Sequence, residues 1–389
     1  MVRTTRLHLD RIASSTRNAK LAPDVIVGEE IVAREGYVLA VRILEDKSTY
    51  NTVEDLSGRM MSLRSGDILA GTLGSRRALR GYAGEVPGHI AVGDVINVLN
   101  LGGILGRCTS SNPDIGPPFR AEVLGAILAF PELGDRVGTP ATIMEGAIPA
   151  AASLESGIPV VYVAGTCMNA GKTVAATELV RGLCRGGLRV AACKLTGVSL
   201  MRDTLSMQDA GAMVTFTFND AGIASTHPGM TVPVARGLLN RIARGAVGAG
   251  PAGARPDVVV AELGDGILGE YGVQDILDDD GLMSVAAAHV MAAPDPVACW
   301  GAHRLYTDRF HLPITCFTGP ATDNQVGRDY ISGQLGLPAH NALRDAAGLV
   351  ATVREALEKS AGRQDGKTAG GPADSDGSLP TGRPAVLPS

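Results

Sequence analysis

The rhythm of apolar and polar positions changes near residue 157. Upstream, between about 30 and 110, short apolar runs (YVLAVRIL, GRMMSL, GDILAGTL, GDVINVLNL, GGILGRC) are separated by Gly, Pro, Asp and Ser. Runs of this length at roughly ten-residue spacing predict short strands of a small barrel or sandwich. The stretch from about 111 to 156 is rich in Pro and Gly, with one apolar element, AEVLGAILAF, and reads as a connector. Downstream the runs lengthen and alternate in type. Residues 158–164 (IPVVYVA) form a continuous β-branched run, the pattern of a strand buried on both faces. Residues 174–185 follow as a helix, then strands are expected at 188–194, 258–263, 285–292 and 313–318. Alternation of this kind predicts a doubly wound, mostly parallel α/β sheet covered by helices. The insert at 199–256 reads as helix and loop, with GLLNRIARGAV as its clearest helix, and ALRDAAGLVATVREALEKS closes the domain as another.

The expected organisation is therefore a β-rich domain at 1–125, a linker at 126–156, an α/β domain at 157–359 and a disordered tail at 360–389. The tail has almost no large apolar residues with which to offset its ordering entropy. At 389 residues the chain is long enough for two cores, and 4% aromatic residues mean those cores are built mainly from Ala, Val, Leu and Ile. A net charge of -5, with no basic run interleaved with aromatics, argues against nucleic acid as a partner. No long apolar stretch and no secretory signal are visible, which predicts a cytoplasmic protein without a membrane partner. Its six cysteines show no CxxC pair, so neither a zinc site nor a disulfide framework is indicated.

The chemistry concentrates where the strand at 158–164 runs into the helix at 174–185, through Gly165-Thr166-Cys167-Met168-Asn169-Ala170-Gly171-Lys172-Thr173-Val174. Glycines let backbone N–H groups curl around phosphate oxygens, and the following helix aims its positive end at them. Lys172 then meets the β/γ charge and the Thr173 hydroxyl ligates Mg²⁺. Gly165, Thr166, Asn169, Ala170, Gly171, Lys172, Thr173 and Val174 are accordingly the expected triphosphate-binding residues. Parallel sheets collect functional groups at the carboxyl ends of their strands, which also places Lys194 and Glu262. Asp265 lies in the turn after Glu262, and Asp203 and Asp209 in the loop after Lys194. Each of these acids reads either as a cap or turn residue or as a hard oxygen ligand for Mg²⁺.

Five residues, rather than four, separate the two loop glycines. With that spacing GTCMNAGKT resembles the P-loop of dethiobiotin synthetase and its relatives, a class that includes cobyrinate synthetases and partition-type ATPases (the SIMIBI type). The resemblance continues through LRVAACKLTG, Gln208-Asp209-Ala210 and VVVAELGDG, covering about residues 157–345. It implies that Lys194 contacts a substrate carboxyl or carbamate, and that Asp209 and Glu262 share the magnesium with Thr173. A weaker similarity links the loop to the P-loop half of a family that includes D-glutamate N-acetyltransferases. Related P-loop proteins place an Asn or Asp after a late strand to meet the purine edge, which makes Asn324 the candidate, with Asp323 behind it. The extra lysine that partition-type ATPases carry near the loop start is Thr166 here.

Together these readings imply an enzyme that uses ATP and Mg²⁺ to activate a small carboxylate or amine substrate by phosphoryl transfer or ligation, as a kinase or ligase. Lys172, Lys194 and Glu262 would be its catalytic residues. A nucleotide-dependent switch or assembly ATPase/GTPase is the alternative, favoured by the added β domain. An acyltransferase gripping coenzyme A through the same loop is another. Enzymes of this architecture commonly pair across their helical faces, so a homodimer is expected. In the first domain Arg76, Arg77 and Arg80 read either as a clamp for an anion or as a solvated turn. His227, Cys167 and His303 are read as loop, backbone-exposing and helix-surface positions respectively.

Overall fold

A computed structural model describes residues 3–132, 134, 137–245 and 254–368. In the first half, five strands pair in a circuit: β1 (Val38–Ile43), β2 (Ile68–Leu73), β3 (Val95–Val98), β4 (Ile104–Ser111) and β5 (Phe119–Ala129). β1 pairs with β2, β2 with β4, β4 with β3, β3 with β5, and β5 returns to β1. The sequence alternation explains the two faces of this circuit. Leu39, Val41 and Ile43 join Leu69, Leu105 and Val123 in one buried cluster, while Val38 and Ala40 join Ala70, Ile104 and Ile127 in another. Thr4–His8 and Asp24–Gly28 extend the sheet beyond β5.

β5 coincides with the element expected around 121–130, starting two residues earlier, and the division expected at 125 falls inside it. The strand continues through Gly125, where its register against β1 shifts between Val123 and Gly125. A bulge of this kind keeps pairing on both sides of an irregular residue, so composition alone cannot end the strand there.

The second half is a six-stranded sheet in the order β8-β7-β9-β6-β10-β11, every neighbouring pair parallel. Its members are β6 (Val160–Gly165), β7 (Val190–Thr196), β8 (Val214–Thr217), β9 (Val258–Leu263), β10 (Ala286–Ala292) and β11 (Cys316–Thr318). β8 lies where helix and loop are expected, because its four residues, three of them partly exposed, are too few to show a period. Alternate strand residues feed cores on opposite faces. Tyr162 and Ala164 pack with Leu238 and Ile242 of α3 (Thr231–Ala243), while Val161 and Val163 pack with Leu179 and Leu183 of α1 (Lys172–Arg185). Helices on both faces make this a doubly wound α/β domain. α2 (Arg202–Asp209) and α4 (Pro296–Arg304) complete its middle. α5 (Ala346–Thr368) lies over α1, with Leu349 and Val353 in the same core as Leu179 and Leu183.

α5 also corrects the boundary expected at 360. The backbone ladder continues past Ser360 with no proline to stop it; the rest of the expected tail, 369–389, lies outside the described residues. Among the described residues no helix is long and apolar enough to cross a membrane.

The segment before β6 leans on α3 through a close contact at Gly237. A Cβ built there would stand 2.3 Å from the Pro149 carbonyl oxygen. In an open helix Gly→Ala gains about 1 kcal/mol. Here overpacking against fixed backbone costs roughly 1–3 kcal/mol, so Gly237→Ala is expected to lower the thermal midpoint. A raised midpoint in a melting scan would contradict this contact.

Candidate phosphate and cation site

β6 delivers the chain into the expected loop, and α1 begins directly at Lys172. Gly171, at φ 99°, precedes the helix in a conformation that disfavours side chains, and Asn169 also turns left-handed at φ 61°. Lys172 folds back over the loop, and its Nζ donates to the Cys167 carbonyl at 2.8 Å. The ammonium is buried. Burial lowers its pKa, partly offset by the carboxylates of Glu262 and Asp265.

Glu262 sits at the end of β9, level in register with Lys194 on β7 and Val163 on β6. It is 2% exposed, and Thr173 Oγ1 donates to its Oε1 at 3.1 Å. Its Oε2 has no hydrogen-bond partner among the described residues. Burial, reinforced by the nearby Asp203 charge, pushes its pKa up to about 7 against the pull of Lys194 and Lys172. Asp265, buried two positions into the following turn at φ 67°, has neither carboxylate oxygen satisfied by a hydrogen bond among the described residues. Burial raises its pKa too, offset chiefly by the Lys172 charge. Buried acceptors without donors are costly unless something satisfies them. Oxygen-only groups of this kind beside a threonine hydroxyl fit a hard divalent cation such as Mg²⁺.

Lys194 is also buried, and it is ion-paired to Asp203 in the first turn of α2. Burial opposes both charges, yet each stabilises the other, so the lysine pKa rises and the aspartate pKa falls. Asp203, not Asp209, therefore joins the site. Asp209 is exposed at the far end of α2, about one and two-thirds turns on, where the helix directs it to solvent. Asp209→Ala is expected to leave magnesium-nucleotide affinity within about twofold in titration calorimetry, as befits a surface substitution. A large loss would return Asp209 to the site.

Lys172, Thr173, Lys194, Asp203, Glu262 and Asp265 all line one cavity of about 690 Å³. Asn169, Gly171 and Val174 line it as well; Gly165, Thr166 and Ala170 do not, although they belong to the same loop. Asn324 is not on its wall. The residue is exposed and its side chain caps the helix Gln325–Tyr330 by accepting from the Gly327 amide at 3.3 Å. Asp323 instead binds Asn341 at 2.8 Å.

The opposite wall of the cavity comes from the first domain, through Tyr50, Arg76, Arg80 and Asn100. Arg76 is buried against the rings of Tyr50 and Tyr82, with its Nη1 on the Tyr50 hydroxyl and the Leu99 carbonyl. Arg80 is exposed at the cavity wall and makes no ion pair among the described residues. Arg77 turns away to Glu270. The sequence signals three arginines but not their division of labour, which depends on the rings of Tyr50 and Tyr82.

The second domain is thus a P-loop α/β domain. No family model matches the chain, and no curated protein does. Solved structures of low similarity include HypB from Helicobacter pylori in complex with nickel, at 13% identity over 53% of this chain and 89% of that one, TM-score 0.34. Chloroplast FtsY from Physcomitrella patens aligns at 14% identity over 54% and 70%, TM-score 0.35. A DUF1611 family protein from Anabaena variabilis aligns at 14% identity over 54% and 63%, TM-score 0.33.

Proposed function

We propose that this chain is a nucleotide-dependent enzyme that binds ATP with Mg²⁺ and activates a small carboxylate or amine substrate by phosphoryl transfer or ligation. The observation that carries this reading is the buried Glu262. It takes the Thr173 hydroxyl on one oxygen and leaves the other without a partner among the described residues, beside a cavity that Lys172 and Lys194 also line. Gly171, Lys172 and the loop amides would hold the triphosphate, and Thr173, Glu262 and Asp265 would hold the cation, whose charge would offset that of the phosphates. Lys194, kept protonated by Asp203, stands ready to meet charge on the substrate. Arg76 and Arg80 give the substrate side of the cavity a positive wall, which suits an anion. Catalysis in such a site is positioning and electrostatic stabilisation.

A second reading, a nucleotide switch, is favoured by one observation. The turns that follow β7 and β9 both bind the first domain, through Glu54 and through Arg77. ADP release measured with and without a panel of small carboxylates and amines separates the two. The enzyme reading expects one member to raise turnover at least tenfold, whereas slow release indifferent to every addition would support the switch and reject the enzyme.

A further inference from the structure

Glu54 ends the short strand Thr52–Glu54 of the first domain and is fully buried. No cation pairs with its carboxylate among the described residues. Instead Ser14 Oγ donates to it at 2.5 Å, and the backbone amides of Met201 and Arg202 donate at 2.6 and 2.7 Å. Those amides open α2, which has no capping side chain of its own at Met201. A carboxylate 147 positions earlier in the chain therefore supplies the cap, and its charge complements the positive end of the helix.

Other contacts hold the same loop to the same domain. Asn100 Nδ2 donates to the Ser199 carbonyl at 2.8 Å while its Oδ1 accepts from the Ile104 amide at 2.9 Å. The turn that carries Asp265 is tied down in parallel, with the Arg77 amide on the Tyr271 hydroxyl at 2.9 Å. Of these two tethered segments it is α2 that bears a residue gripping a site lysine. Asp203 stands one residue beyond the capped amides and holds Lys194.

We infer that Glu54 is a positioning residue: from the first domain it fixes α2, and through Asp203 it sets where the Lys194 ammonium stands in the cavity. Among the described residues the hydrogen bonds of Glu54 reach Ser14 and the start of α2 and none reaches the phosphate loop, so nucleotide grip and substrate-side alignment are separable. The kinetic consequence rests on the role proposed above for Lys194; the structural one does not.

The test compares full-length protein with Glu54→Ala and Glu54→Gln, reading amide hydrogen exchange across 199–209, kcat, KM and magnesium-nucleotide Kd. A lost cap of up to about 2 kcal/mol is more than tenfold in local opening. Exchange at 201–205 is therefore expected to quicken about tenfold or more in Glu54→Ala. Turnover should fall by about the same factor, while nucleotide Kd stays within about twofold. Glu54→Gln, which keeps one amide-accepting oxygen but no charge, should fall between, and it serves alone if the alanine variant does not fold. Unchanged exchange in a folded variant overturns the anchor. So does a parallel loss of kcat and nucleotide affinity, which would mark general loosening rather than positioning. Should Lys172→Ala leave turnover intact, the enzymatic reading fails, yet exchange at 201–205 still decides whether Glu54 holds α2.

Discussion

Lys172→Ala is expected to lower nucleotide turnover by about a thousandfold, on the order of 4 kcal/mol of transition-state stabilisation. The residue is the buried cation nearest the loop backbone, and its Nζ reaches the Cys167 carbonyl. A phosphate chain lying in the loop would offer that ammonium a charged acceptor in place of a neutral one, which strengthens the hydrogen bond. Removing it leaves polyphosphate charge facing Glu262 and Asp265 with less compensation. Lys172→Arg should recover little, because the planar fork needs room that a loop curled tightly over the lysine stem does not give. Steady-state ADP release is the measurement, with a thermal melt to establish that the variant folds. Wild-type turnover in a folded Lys172→Ala protein would remove this loop from the mechanism.

The second large effect is a loss of magnesium-dependent binding in Glu262→Gln, together with a pH dependence that the variant abolishes. Burial raises the Glu262 pKa from 4.5 to about 7, so without a cation the folded protein keeps a proton that the unfolded chain gives up. The sign follows: that contribution to stability is present below the unfolded value near 4.5 and is lost as pH rises through about 7. A divalent cation must displace the proton. Below pH 7 magnesium-dependent nucleotide affinity should therefore fall by up to about tenfold per pH unit, with close to one proton released on binding. Calorimetry at pH 6 in two buffers of different ionisation enthalpy counts that proton. Wild-type and Glu262→Gln proteins releasing the same number would rule out Glu262 as the group displaced.

What the sequence could disclose was whatever its neighbours along the chain decide. The phosphate loop was legible because its glycines, lysine and threonine act in consecutive order between a buried strand and a helix. Lys194 and Glu262 were legible because strand ends converge in parallel sheets. Asp203 was not separable from Asp209, since the face α2 turns toward Lys194 is fixed by Glu54 in another domain. Likewise nothing local marks Arg76 as buried, for the rings that enclose it stand 26 and 6 positions away on different strands or turns, brought together only by the fold. The loop after β11 pointed by analogy to a base contact, but Asn324 spends its carbonyl oxygen on its own helix.

The packing of α5 on α1 offers a window on the loop. α1 starts at the phosphate cradle and, at fourteen residues, reaches about 20 Å away from it. Gly182, in its last turns, lets Val350 sit so close that an added Cβ would stand 2.3 Å from the valine side chain. Any tilt that anion binding imposes on the start of α1 is thus handed to the closing helix, whose Glu355 faces solvent. A spectroscopic label at that outward position would report occupancy of the cradle from the surface of the closing helix.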